Sequence, residues 1–426
     1  MIYAILIGIS LAILGVSWFL YRRNFELFLC LLIAIFSEFF YLLPRIKGPE
    51  DYKLLLLPMI ALLLFESLLT RKLAFGRYGW WVVSFLAISV LGVFVAWFSG
   101  QSLDLGIKAA KFIPLVMVYF LVVGRQIRTE KFSLYFIVMA LAVSFVALIF
   151  FATHGAVNPF FGIEQKMLLD HLGNPRVTVG QFVIPIAAVM AFARYKQNSK
   201  IIYLFAAIML FCEVLFIQQT RGFIASTFLS MCVVYVLSTK LTPLRISFYL
   251  FAIGGVFAAS MVFSVSDFSS FGVVKRSQVD FSKRHGSYGG SAQARLNSYA
   301  YYWNEIQQHP IVGRGIYNFN WKESAEKDLQ ENRGIHLSDI GITHFVVQAG
   351  LVGVLWLVYG ILKIGRDIWL YRKGLIVSCY FIIAIFAMPT LDILLLTSSL
   401  FCFGVFLGLT SNAITTSNLN AVSKGS

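Results

Sequence analysis

Long apolar runs broken by short polar connections dominate the pattern along the chain. A window of about 19 residues finds stretches able to cross a hydrocarbon core of about 30 Å. They fall at residues 2–20, 25–43, 54–70, 79–98, 107–124, 132–152, 179–193, 201–218, 222–238, 246–266, 341–362, 375–388 and 391–410. The pattern predicts an all-α, polytopic membrane helix bundle of about 13 spans.

One stretch breaks this rhythm, residues 267–339, which are polar, aromatic and basic. The expected organisation is therefore 1–266 with the first ten helices and an outward loop at 153–178, then 267–339 as a large, partly helical outward loop. Residues 340–410 hold the last three helices, and the Ser, Asn and Thr-rich residues 411–426 read as a disordered tail. Inside the large loop, Leu296, Tyr299, Ala300, Trp303 and Ile306 recur at helical spacing. A helix over 294–306 follows, expected along the outer interface with its Trp and Tyr at headgroup depth. HPIVGRG then reads as a tight turn, with Pro310, Gly313 and Gly315.

Composition agrees with the pattern: 59% of residues are hydrophobic, 16% aromatic and 13% charged, against about a quarter charged in soluble domains. The first span lacks a basic leading region and a small-residue cleavage site, and Arg22 and Arg23 follow it, so it is expected to remain as a membrane helix. Basic residues concentrate in alternate short connections: Arg71, Lys72 and Arg77, then Arg125, Arg128 and Lys131, then Arg194, Lys196 and Lys200. Short basic loops stay cytoplasmic, which puts the amino terminus and residues 267–339 outside and the carboxyl end inside. The net charge of +15 is accounted for by these loops and by anionic headgroups of the membrane lipids, and no nucleic-acid module accompanies it. All five cysteines lie in apolar spans, which argues against a disulfide framework or a CxxC metal site.

Candidate chemistry gathers at the outward end. Arg221, in QQTRGF between two apolar runs, is costly at a membrane boundary unless it pairs. It either snorkels to a local partner or grips an anion, since a guanidinium offers a planar fork of donors matched to phosphoryl oxygens. Arg295 has the same two readings on the polar side of the interfacial helix. Arg176, which follows the Gly173-Asn174-Pro175 turn, is a third candidate diphosphate binder, although it and Arg314 have stronger claims to be solvated surface residues, as do Arg276, Arg284 and Arg333. His336 and Asp339 precede the eleventh span, where either can take a proton from a sugar hydroxyl. Asp339 equally fits a helix N-cap, and His344, inside the span, reads as a packed residue. Tyr301, Tyr302, Trp303 and Arg314 are candidates to line a glycan site. HExxH, DxD, P-loop and dinucleotide signatures are missing, so the sequence calls for no metal and no cofactor, and arginines would have to stabilise a leaving group.

TRG at 220–222, ARLNSYAYYWNEIQQHPIVGRGIYNF and HLSDIGITHFVVQAGLVG, in that order, resemble the O-antigen polymerase and O-antigen ligase superfamily of bacterial membrane glycosyltransferases. The resemblance covers about Thr220 to Gly353, and the amino-terminal half matches in hydropathy alone. It implies a GT-C-like bundle in the bacterial inner membrane, with an active site facing the periplasm that uses an undecaprenyl diphosphate-linked glycan without a metal and inverts the anomeric centre. It casts Arg221 and Arg295 as diphosphate binders and His336 as the residue that activates or orients the acceptor hydroxyl. Ser338 stands where ligases show a second histidine, and Leu337 interrupts the His-Ser-Asp order of polymerases, so Asp339 shares the candidacy of His336. The SDIGI wording resembles polymerases of O-antigen, capsule or exopolysaccharide more than ligases. The implied donor is then the growing lipid-linked chain, the acceptor a lipid-linked repeat unit, and a chain-length regulator an expected partner. A ligase acting on lipid A core is the alternative, and a lipid-linked glycan flippase, for which internal repeats are missing, is a third.

Overall fold

In lipid, a backbone has no water to bond, so apolar runs such as FELFLCLLIAIF and GWWVVSFLAISVLGVFVAWF close their hydrogen bonds within helices. The computed structural model describes residues 2–37, 52–70, 74–159, 177, 180, 182–238, 291–322, 329, 335–371, 375–389, 391–392, 394–395 and 397–422. Among these the chain is helical, without strands. The helices are α1 (Ile2–Arg23), α2 (Phe25–Phe36), α3 (Tyr52–Leu69), α4 (Gly79–Phe98), α5 (Leu103–Ala110), α6 (Val118–Val123) and α7 (Thr129–Ala152). They continue with α8 (Val183–Asn198), α9 (Ile201–Glu213), α10 (Arg221–Ser238), α11 (Ser291–Gln308), α12 (Ile342–Leu370), α13 (Leu375–Ala387) and α14 (Thr397–Val422). The span expected at 246–266 and most of the loop at 153–178 lie outside the described residues.

By length and composition, five of the described helices can cross a membrane, namely α4, α7, α9 with its π turn, α10 and α12, or six if a bent pair counts as one span. The protein is thus a multi-pass helical membrane protein, but the described residues provide fewer full-length spans than the hydropathy count. Three differences explain part of this. Residues 107–124 are not one helix: α5 and the 3-10 turn Ile113–Met117 leading into α6 meet at 42°, with Pro114 in the opening turn of the second piece. Residues 391–395 form a turn, and α14 starts only at Thr397. The polar tail is also not disordered as far as Val422, because α14 continues through it. Its polar side chains find partners there: Asn412 Nδ2 donates to the carbonyls of Val122 (2.9 Å) and Arg125 (3.0 Å), and Ser411 Oγ accepts from the Arg77 amide at 3.1 Å.

The pair α4 and α12 carries the architecture. The indoles of Trp81 and Trp356 stack with ring centroids 4.7 Å apart, and each donates its N–H to the other's carbonyl, at 3.0 and 2.9 Å. Gly360 lets Trp81 lie against the α12 backbone, since a Cβ there would overlap the indole. Toward the end of α12, Asp367 is fully buried and binds Arg77 through both carboxylate oxygens, at 2.6 Å each, while the Tyr78 hydroxyl donates to it at 2.8 Å.

At the other end α12 is broken. Gly350 sits at φ 58°, ψ −152°, so Leu351 and Val352 cannot donate to Val347 and Gln348 as an unbroken helix requires. The HPIVGRG segment takes over. Leu351 and Val352 donate to the carbonyls of Pro310 (2.8 Å) and Ile311 (3.1 Å), while Arg314 and Gly315 donate to those of Val347 (2.8 Å) and Gln348 (3.1 Å). The next amide, Ile316, donates to Gly92 of α4 at 2.9 Å, and Gln101 clamps the segment by accepting from the Asn318 amide at 2.6 Å.

Two tests follow from these contacts. Gly313→Ala would place a Cβ 2.5 Å from the Gln348 carbonyl carbon at φ +71°, and Gly350→Ala meets backbone in the same way. Backbone strain alone costs about 1–3 kcal/mol, so each variant should melt clearly below wild type in detergent, and more so than Gly15→Ala, where the space is open. Arg77→Ala leaves Asp367 buried without its countercharge, whereas Asp367→Ala leaves an Arg77 side chain that is 28% exposed and can rehydrate. Arg77→Ala should therefore destabilise more, by about 3–5 kcal/mol, and thermal melting of both variants checks the order.

Candidate functional site

α11 provides one wall of the candidate site. The helix exists as its spacing predicted, and it docks through residues beside the apolar stripe. Ser298 and Tyr302 are buried and Tyr299 is half-buried, while Leu296 and Trp303 are exposed. The buried face packs against α12 and the 3-10 turn Leu337–Ile340, with Tyr302, Leu337, Ile340 and Val347 in one apolar cluster. Exposed Leu296 and Trp303 suit an interfacial position, which such side chains favour. Tyr302 is therefore a packing residue and offers no surface to a sugar in this structure, while Tyr301 is half-buried beside it with an edge-on ring contact.

Docking of α11 places several candidates together. Ser298 Oγ accepts the His336 amide at 3.1 Å, so the HLSDI turn is pinned to the helix one turn from Arg295. The His336 imidazole is half-buried and has no hydrogen-bond partner among the described residues. Tyr299 donates its hydroxyl to the Pro389 carbonyl at 2.7 Å, tying α11 to the connection after α13. Burial pushes the Tyr299 phenol up from its ordinary range, against the neighbouring Arg295 charge, which pulls it down. The hydroxyl thus stays a donor, and Arg295 lies close enough for its field to be felt. Arg295 is half-buried, and its Nε is shielded from solvent without a hydrogen-bond partner among the described residues.

Arg221 opens α10, after a reversal that the sequence does not announce. α9 ends in a π turn, Val214–Gln218, and Gln219 adopts φ 54° with its amide returning to Val214. Single π turns inside helices are frequent at functional sites. Val177 donates to the Ile217 carbonyl at 3.3 Å, and Arg176 itself lies outside the described residues. The two arginine-bearing groups share α13, which packs along α10 and whose Met388 carbonyl accepts the Ile342 amide at 2.7 Å.

Other candidates have structural partners. Arg314 Nη1 lies 3.3 Å from Glu305 Oε2 and its guanidinium sits over Tyr317, which leaves it committed to the HPIVGRG docking rather than open to a glycan. The N-cap of α12 is Gly341, at φ 56°, not Asp339, which belongs to the preceding 3-10 turn.

His344 is packed, as the sequence reading expected, and belongs to a hydrogen-bonded series that the sequence did not announce. Its Nδ1 is 2.6 Å from Asp392 Oδ2, and the Gln348 side-chain amide nitrogen is 3.0 Å from its Nε2. Asp392 is itself fixed, since its Oδ1 accepts the Leu395 amide at 3.2 Å. Two signals were present: Gln348 is four residues from His344 and so on the same helix face, and Asp392 is a lone carboxylate between apolar spans. Their pairing across 48 positions was not visible in the chain.

Residues 204–358 match the family model described as O-antigen ligase. No curated protein matches the chain. The matched stretch contains Arg221, α11, His336, the HPIVGRG segment and the broken start of α12, and it supports the resemblance to the O-antigen polymerase and ligase superfamily. Tyr299→Phe removes one hydrogen bond between α11 and the Pro389 carbonyl and should lower stability by about 0.5–1 kcal/mol, measurable as a small drop in melting temperature.

Proposed function

We propose that the protein transfers a glycan from a polyprenyl diphosphate donor to a sugar hydroxyl, and that it acts as a polymerase of lipid-linked repeat units at the periplasmic face of the inner membrane. The observation that carries this reading is Arg295, whose shielded Nε has no hydrogen-bond partner among the described residues, one helical turn from the Ser298 contact that holds the HLSDI turn. A buried donor without an acceptor is costly, and a diphosphate oxygen would satisfy it. Arg221 at the start of α10 supplies the second cation. As the bond between the anomeric carbon and the diphosphate breaks, both guanidinium groups stabilise the negative charge that grows on the leaving group. His336 orients the incoming hydroxyl on the opposite side, so the anomeric centre inverts. Trp303, which is exposed, is the aromatic side chain that would stack on a sugar ring.

The ligase reading is the alternative, and the family match is common to both. It keeps the donor chemistry and changes the acceptor to lipid A core. Loss of a polymerase leaves single repeat units on the core, and loss of a ligase leaves free lipid-linked polymer. The direct experiment is incubation of the purified protein with synthetic lipid-diphosphate repeat units, with and without lipid A core, followed by product sizing. Arg221→Ala and Arg295→Ala should each reduce product by about 100-fold or more, and Lys at either position should restore only part of it, because a point charge lacks the planar fork. Unchanged product length in either Ala variant would remove that residue from the diphosphate site.

A further inference from the structure

The outward end of α12 holds a carboxylate, an imidazole and an amide in series. Asp392, His344 and Gln348 come from the connection after α13 and from adjacent turns of α12, and all three are largely enclosed. The side chains of His344 and Asp392 are 16% and 5% exposed. A carboxylate can only accept, so the 2.6 Å contact requires the proton on His344 Nδ1. The Gln348 amide nitrogen can only donate, so its 3.0 Å approach to Nε2 meets a lone pair. The contact with Asp392 orients the ring and leaves Nε2 on the side away from the carboxylate. This is the arrangement a general base needs, and nothing in the packing of α12 against α4 requires it.

We propose that His344, oriented by Asp392, takes the proton from the acceptor hydroxyl, with Gln348 marking the place where that hydroxyl docks; the inference rests on the glycosyl-transfer reading given above. Among the described residues no side chain bonds the His336 ring, and His336 is assigned the orienting role. In the step, the hydroxyl O–H bond breaks and its proton moves to His344 Nε2 as the oxygen lone pair bonds to the anomeric carbon. The bond from that carbon to the diphosphate breaks with its electron pair leaving on the phosphate oxygen. The imidazolium formed is stabilised by the Asp392 carboxylate and returns its proton to water or to the departing diphosphate.

The same contacts would also hold the 388–395 connection onto α12 without any part in chemistry, and the test separates the two roles. His344→Asn keeps an amide donor for Asp392 and deletes the basic nitrogen. In the purified protein with synthetic lipid-diphosphate repeat units, kcat is expected to fall about 100-fold or more, with the donor KM within threefold of wild type and the melting temperature unchanged. Asp392→Asn, which reverses the tautomer, should lose at least tenfold in kcat, and added imidazole should restore part of the turnover of His344→Ala. A kcat for His344→Asn within threefold of wild type, or a loss confined to KM, overturns the proposal. If His344→Asn does not fold, a kcat within threefold of wild type for Asp392→Asn overturns it equally. Failure of the wild-type protein to transfer glycan to either acceptor would instead overturn the glycosyl-transfer reading itself.

Discussion

A membrane helix broken about 12 Å from its start survives only if something else satisfies the backbone it leaves open. In α12 the break at Gly350 releases two donors and two acceptors, and the HPIVGRG segment supplies a partner for each. Lipid offers none, so the break and the segment are one device. The approach is so close that neither Gly313 nor Gly350 has room for a Cβ. The segment reaches further, through Ile316 to Gly92 and through Gln101 to Asn318, so α4, α11 and α12 meet at one point.

Everything in the candidate site hangs from that junction. α11 runs directly into HPIVGRG, and its buried face of Ser298 and Tyr302 is held where the HLSDI turn can bond to it. The turn in turn leads into α12, whose first residues carry His344 and Gln348. The structure sets a guanidinium near Tyr299 on one helix and an imidazole paired with Asp392 on the next. At the far end of α12, the buried Asp367 with Arg77 and Tyr78 ties the helix to the start of α4. The paired indoles between these ends supply dispersion contacts and hydrogen bonds in place of the hydrophobic drive that lipid cannot provide between helices.

Matching of residues 204–358 to the O-antigen ligase model gives the two sequence motifs of this region a physical division of labour. The glycines and amides of HPIVGRG build the junction, and Arg314 stays beside it with Glu305. Arg295, His336 and the His344 series are the groups to which the proposed transfer assigns roles. Arg221 enters from a separate helix group, carried by a π turn whose irregular backbone sets the first turn of α10.

Apolar periodicity was enough to make this an all-helical, multi-pass membrane protein, because a backbone in lipid has no other way to close its hydrogen bonds. The interfacial helix and the glycine-marked turn were legible for similar local reasons. Residue order also carried the superfamily resemblance. The face by which α11 docks was not legible, because Ser298 and Tyr302 lie outside its apolar stripe and only packing buries them. The polar tail read as disordered, yet Ser411 and Asn412 find donors and acceptors on neighbouring loops. Pro114 was visible but not the 42° bend beside it. His344 and Asp392 were ordinary residues until the turn after α13 brought them to 2.6 Å. Local pattern determines which segments form helices, whereas contacts between distant segments depend on side-chain fit that only the folded chain decides.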